Sequence, residues 1–329
     1  MFKTILVPLD RSALAEQAIG QAALIARGAK AALDLVLVHT PFPFVGHAES
    51  SIDEAEWSAE HTYLEAVQKD LESGAGVPVT HTVMRGAAAQ HICAHAADVN
   101  ADLVVITSHG RTGISRAWLG SVADAVVRHS ATPVLMLRPT DTPHARLAAR
   151  HSFRRILVPL DGSRLAADAL GPALDLARAT GASIVLLRVL QPVPLLIPYD
   201  GTVPFVYQPM VVDDAATEIV LEEATQKLAA LAHRLQDDEG VPISAEVVLD
   251  SRVADAIVHF ARGHDIDVIA MSTHGRGASR WLLGSVADKV LRGSELPVLL
   301  RRPVTVANDS ARDNAAEENQ YLSGMATVS

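Results

Sequence analysis

At 329 residues the chain is long enough for about two domains of roughly 150 residues each. Its 49% hydrophobic and 20% charged residues exclude a disordered, collagen-like or coiled-coil chain, and 4% aromatics supply too few stacking platforms for single-stranded nucleic acid. A formal charge of −10, from 28 Lys and Arg against 38 Asp and Glu, repels polyanions, so no nucleic-acid partner is expected.

The opening MFKTILVPLDRS places Asp10 too early for a secretory leader. Its apolar run at 4–7 reads as a strand, and Asp10 follows it. Residues 12–27 read as a helix with Leu14, Ala18, Ile19, Ala22 and Ile25 on one face, closed by Gly28. A strand at 33–38 precedes a long helix at 51–73, which runs into Gly-Val-Pro at 76–78. Strands at 79–84 and 103–107 flank a helix carrying His91 and His95, spaced like a metal-binding pair but more simply a solvated face. The single cysteine, Cys93, fits a reducing cytoplasm. A Gly-rich segment at 107–121, a helix at 122–128 and a strand at 134–137 complete the first half.

The second half repeats this order, with strands at 156–158, 184–189, 243–249, 268–271 and 298–300. Gly171-Pro172 falls inside its first helix and predicts a kink or break, because an interior proline costs roughly 3 kcal/mol. A segment at 191–209 holds five prolines with Tyr199, Phe205 and Tyr207, and reads as a covering loop in preference to a ligand lid. The most apolar stretch, 193–212, is broken by four of those prolines and Asp200, so no membrane span is expected. The long helix at 213–239 again ends at Gly-Val-Pro, 240–242. The expected organisation is a first domain at 1–139, a linker at 140–151, a second domain at 152–303 and a disordered tail at 304–329.

The halves match motif by motif. Ile5-Leu-Val-Pro-Leu-Asp10 returns as Ile156-Leu-Val-Pro-Leu-Asp161, Thr107-Ser-His-Gly-Arg111 as Ser272-Thr-His-Gly-Arg276, and Leu119-Gly-Ser-Val-Ala-Asp124 as Leu283-Gly-Ser-Val-Ala-Asp288. Two long copies indicate a duplicated domain, not a solenoid. Short, continuously apolar strands alternating with helices predict an α/β fold with a doubly wound parallel sheet in each half.

In such a sheet ligands bind beyond the strand C-termini, where the strand order reverses. Asp10 and Asp161 end the first strands there, and Gly120-Ser121 and Gly284-Ser285 open helices after the fourth. Unpaired N–H groups and the helix dipole make an anion site, and a carboxylate across the cleft can accept hydrogen bonds from ribose or an adenine amino group. There is no Gly-x4-Gly-Lys-Ser/Thr, no Gly-x-Gly-x2-Gly after the first strand and no Gly-x-Ser-x-Gly. On spacing alone, a plain turn reading of the glycines stands beside the nucleotide reading.

Through these motifs and the closing Pro-Val-Leu strands, both halves resemble universal stress protein domains, over about 1–139 and 152–303. The resemblance implies two five-stranded sheets of order 3-2-1-4-5, of the adenine nucleotide alpha-hydrolase-like kind, arranged as a pseudo-twofold pair through their fifth strands. It also implies ATP, with Mg2+ as accompanying cation, held by Gly-x2-Gly-x9-Gly-Ser/Thr. Carried over, Gly110, Gly120 and Ser121 match, with Thr107 at the first glycine. Gly275, Gly284 and Ser285 match in the second half, with Ser272 at the first glycine and a loop one residue shorter. Pro8, Leu9 and Asp10 with Thr40 would border the base and ribose, as would Pro159, Leu160 and Asp161 with Val189. His109 and Val122, and His274 and Val286, would lie along the phosphates. The resemblance further implies a cytoplasmic stress-response regulator that forms homodimers. No residue is assigned a catalytic role; slow ATP hydrolysis through His109 or His274, and an interaction module with one or both sites inactive, remain as alternatives.

Overall fold

The computed structural model describes residues 1–40, 47–108, 119–139, 152–194, 212–273 and 283–303, with the side chains of 47–52 left aside. The first half runs β1 (Thr4–Leu9), α1 (Ala13–Ala29), β2 (Ala32–His39), α2 (His47–Ala75), β3 (Val79–Arg85), α3 (Ala88–Asp98), β4 (Leu103–Thr107), α4 (Ser121–His129) and β5 (Val134–Leu137). The second runs β6 (Arg155–Pro159), α5 (Arg164–Ala167), α6 (Leu170–Thr180), β7 (Ser183–Leu190), α7 (Asp214–Glu239), β8 (Ile243–Leu249), α8 (Val253–Gly263), β9 (Val268–Ser272), α9 (Ser285–Gly293) and β10 (Val298–Arg301).

The strands form one ten-stranded sheet, β3-β2-β1-β4-β5-β10-β9-β6-β7-β8. Every pairing within a half is parallel, and the halves meet through antiparallel β5 and β10. Leu135 faces Leu299 at the centre of that contact, while Val134 faces Leu300 and Met136 faces Val298, so the register is symmetric about the leucine pair.

Side chains alternate across the sheet and feed two cores. Ile5, Val7 and Leu33 pack with α1, α2, α6 and α7; Leu6, Val36 and Val104 pack on the other face with α3, α4, α8 and α9. Both faces are thus covered, which is why the strands read as unbroken apolar runs. The halves also touch through α1 and α6. A Cβ built on Gly28 would lie 1.7 Å from the Ala179 carbonyl oxygen, so this contact requires the missing side chain.

The break expected near Gly171-Pro172 lies just upstream, at Asp168 and Ala169 between α5 and α6. Pro172 thereby occupies the first turn of α6, where its absent N–H removes no helical hydrogen bond. The long helices start and stop within a few residues of the expected bounds. The linker at 140–151, the tail at 304–329 and most of the Pro-rich segment lie outside the described residues.

Candidate functional site

In each half α1 and α2, or their counterparts, leave one face of the sheet and the next two helices cover the other. Chains departing from β1 and β4 therefore diverge and open a crevice at the strand C-termini. A cavity of about 360 Å³ occupies it in the first half, and one of about 290 Å³ in the second. The first gathers Pro8, Leu9, Asp10, Thr40, Thr107, Gly120, Ser121 and Val122. The second gathers Pro159, Leu160, Asp161, Val189, Ser272, Gly284, Ser285 and Val286. Those are all the sequence-proposed residues that fall within the described part; His109, Gly110, His274 and Gly275 fall outside it. So do Arg111, Arg276, Trp118 and Trp281.

The two aspartates carry a local duty as well as facing the cavities. Asp10 Oδ1 accepts from Ser12 N–H at 3.0 Å and from Ser12 Oγ at 2.6 Å, and Ser12 Oγ accepts the Ala15 N–H at the start of α1. Asp161, Ser163 and Ala166 repeat this relay at 2.9, 2.6 and 3.1 Å. Each carboxylate therefore fixes the N-terminus of the following helix and cannot be read purely as a ligand acceptor.

At the opposite wall, Gly120 is the N-cap of α4 and Gly284 that of α9, and neither helix start is capped by a side chain. Gly120 N–H donates to Ser108 O and Gly284 N–H to Thr273 O, both at 2.7 Å, which pins the helix starts against the ends of β4 and β9. The first residues of both helices, Ser121 and Val122 and Ser285 and Val286, line the cavities, so the positive end of each helix dipole lies at a cavity wall. This arrangement suits an anion.

The cavities differ on one wall. The first also includes His39, Glu56 and Glu60. His39 is 2% exposed; its Nδ1 lies 2.8 Å from Glu60 Oε2 and its Nε2 2.7 Å from Asp53 Oδ1. Arg85 reaches Asp53 at 3.7 Å and lies over the Trp57 ring, whose edge meets the imidazole. Burial disfavours the imidazolium, but the hydrogen bonds and charges of Asp53 and Glu60 outweigh it and hold the His39 pKa above its ordinary value. Sequence reasoning missed this cluster. Its signal was Glu60 standing in the apolar stripe of α2 that continues through Leu64, Val67 and Leu71, all buried.

Thr40 and Val189 both line cavities but are not equivalent: by the strand registers the counterpart of Val189 is Val38. His91 and His95 form no joint site, since His91 Nδ1 bonds Ala87 O while His95 Nε2 bonds the buried Asp34. Among the described residues no group of three or more His, Cys, Asp or Glu side chains is arranged to hold a metal ion.

The model of the universal stress protein family matches residues 1–138 and 152–302. A universal stress protein of Mycolicibacterium smegmatis is 26% identical over 306 residues, 91% of this chain and 97% of that protein. Universal stress protein Rv2005c of Mycobacterium tuberculosis is 30% identical over 203 residues, 61% of this chain and 62% of that protein. The match thus spans under two thirds of that relative's length. A universal stress protein from Archaeoglobus fulgidus has the same fold, with a TM-score of 0.62 at 21% identity over 91% of this chain and 98% of that one.

Proposed function

The chain belongs to the universal stress protein family as a tandem member, and from that premise we propose that it is a nucleotide-responsive regulator that binds ATP. The observation that carries this reading is the repetition of one arrangement in two cavities. An uncapped helix start with a serine hydroxyl stands on one side of β1 or β6, and an aspartate ends the strand between the walls. Gly120, Ser121 and Val122, and Gly284, Ser285 and Val286, would hold the phosphates. Asp10 with Thr40, and Asp161 with Val189, would border the nucleoside. Thr107 and Ser272, buried at the ends of β4 and β9, form the cavity floor. Occupancy would act through the helix starts already pinned to the sheet, with no covalent step assigned.

The test is direct. The full chain is purified, denatured and assayed for released adenine nucleotide, and its affinity for ATP is measured by calorimetry. Glu at Gly120 or Gly284 would set a carboxylate in the anion site, so Gly120→Glu and Gly284→Glu should each abolish one class of site. Failure of the wild type to bind at millimolar ATP sinks the reading and leaves an interaction module.

A further inference from the structure

The wall that distinguishes the two cavities can be compared position by position. β2 pairs with β1 as β7 pairs with β6, Thr4 facing Ala32 and Arg155 facing Ser183, so His39 corresponds to Leu190. α2 and α7 both run into Gly-Val-Pro and bury the equivalent Leu64 and Leu228. Glu56 therefore corresponds to Val220 and Glu60 to Ala224. A charged wall in one half is an apolar one in the other, on the same backbone.

That wall has a definite place. The sheet order sets β2 on one side of β1 and β4 on the other, two strand spacings or roughly 10 Å apart, so the wall of His39 and Glu60 and the helix start at Gly120 and Ser121 lie to either side of β1. A ligand lying across the first cavity meets helix N–H groups at one end and carboxylates at the other. Glu60 is 2% exposed and aligned by His39, itself held from behind by Asp53, so an acceptor is fixed at the cavity wall before any ligand arrives. Both cavities share an apolar wall, Val38, Ala88 and Ile92 in the first and Val189, Val253 and Ile257 in the second, but the second has no counterpart of the acidic wall: Leu190, Val220 and Ala224 line a separate hollow with Arg188, Glu223 and Lys227.

We propose that Glu56 and the His39-aligned Glu60 are specificity determinants, making the first cavity select an anionic ligand whose far end presents hydrogen-bond donors, such as the amino or hydroxyl groups of a nucleoside phosphate, while the second selects chiefly by its anion site and apolar walls. This rests on the nucleotide reading and goes beyond it, because it makes the two sites of one chain unequal. Glu56 and Glu60 accept; His39 donates to Glu60 and is the positioning residue.

The test uses the full chain with one cavity silenced at a time, Gly284→Glu to report the first and Gly120→Glu the second. Affinities for ATP and for inorganic tripolyphosphate, which has no donor-bearing end, are measured by calorimetry. The first cavity should prefer ATP over tripolyphosphate by a ratio at least about tenfold greater than the second, the size of one lost hydrogen bond to a charged group. Glu56→Val, at a half-exposed position, and the double variant His39→Leu/Glu60→Ala, which installs the second half's residues, should each lower that ratio without weakening tripolyphosphate binding. Thermal melting identifies a variant that has lost its fold, and Glu56→Val then carries the test alone. ATP binding at both cavities with equal ratios, or a ratio unmoved by the substitutions, overturns the specificity proposal alone. No ATP binding at either cavity overturns it together with the nucleotide reading.

Discussion

Asp10 and Ser12 share a hydrogen-bonded turn that holds the start of α1, and Asp161 and Ser163 share the same turn at α5. The residue lining the first cavity is thus also part of a helix cap, and its proposed binding duty separates from the cap by substitution. Asp10→Asn keeps an acceptor at Oδ1 and removes the charge, so it should leave stability within about 0.5 kcal/mol while changing ligand affinity. Asp10→Ala removes both and should lose about 1 kcal/mol of stability in urea unfolding. No loss in Asp10→Ala would show that the cap carries nothing, and equal losses in both would assign its effect to the charge.

The His39 cluster makes stability depend on pH. The native pKa is raised above the unfolded value of about 6.5, so the native state binds the proton more tightly. Its stabilisation is complete below the unfolded pKa and is lost as pH rises through the native one, with a slope of at most about 1.4 kcal/mol per pH unit. The urea midpoint of the wild type minus that of His39→Leu/Glu60→Ala, followed from pH 5.5 to 9, should fall as pH rises. A difference that rises over that range would contradict the assignment. The group sits among Asp53, Glu60 and Glu56 of α2, Arg85 of β3 and Asp10 of β1's C-terminal turn, so chemical shifts of the His39 imidazole give the direct readout.

Gly28 and Gly171 are both helical, yet only the first is pressed against a neighbour. Gly28→Ala should destabilise the chain by about 1–3 kcal/mol, because the added methyl meets the Ala179 carbonyl oxygen between α1 and α6. Gly171→Ala meets nothing within 4 Å and should be neutral or stabilising by up to about 1 kcal/mol through the unfolded chain. Chemical denaturation of both variants checks the pair, and the order of the two effects is the outcome at stake.

Four charges bridge α4 and α9 beside the fifth strands. Arg128 pairs with Asp124 at 2.8 Å and reaches Asp288 at 3.7 Å; Arg292 pairs with Asp288 at 3.0 Å and reaches Asp124 at 3.9 Å. They are partly exposed, so the cross-helix coupling of Arg128 and Asp288 in a double-alanine cycle should be only about 0.2–1 kcal/mol. It should fall toward zero in 1 M salt. A coupling that persists there would mean that the pair is less hydrated than its exposure indicates.

Much of the site was legible because duplication marks what a fold needs twice. Asp10 and Asp161, and Gly120-Ser121 and Gly284-Ser285, sit at strand and helix ends fixed by local patterns of apolar periodicity and turn residues. The His39 wall occurs once, so comparison of the halves did not mark it, and Glu60 in the apolar stripe of α2 was its one trace. Its members come from β2 and α2, which only the tertiary packing brings together, and its counterparts Leu190, Val220 and Ala224 look like ordinary core. The position of the break before α6 was likewise hidden, since proline fixes which turn it tolerates, not where the preceding helix ends.

The symmetric contact of Leu135 with Leu299 has a consequence for assembly. Each fifth strand is flanked on both sides, β5 by β4 and β10, and β10 by β9 and β5. The β5 and β10 edges are thus consumed within the chain, and among the described residues β3 and β8 end the sheet. Each of those strands carries a charged residue, Arg85 on one and Glu246 on the other, a pattern that discourages further strand addition. Within one chain the sheet therefore carries one cavity walled by His39, Glu56 and Glu60 beside one that lacks them, in a fixed ratio of one to one.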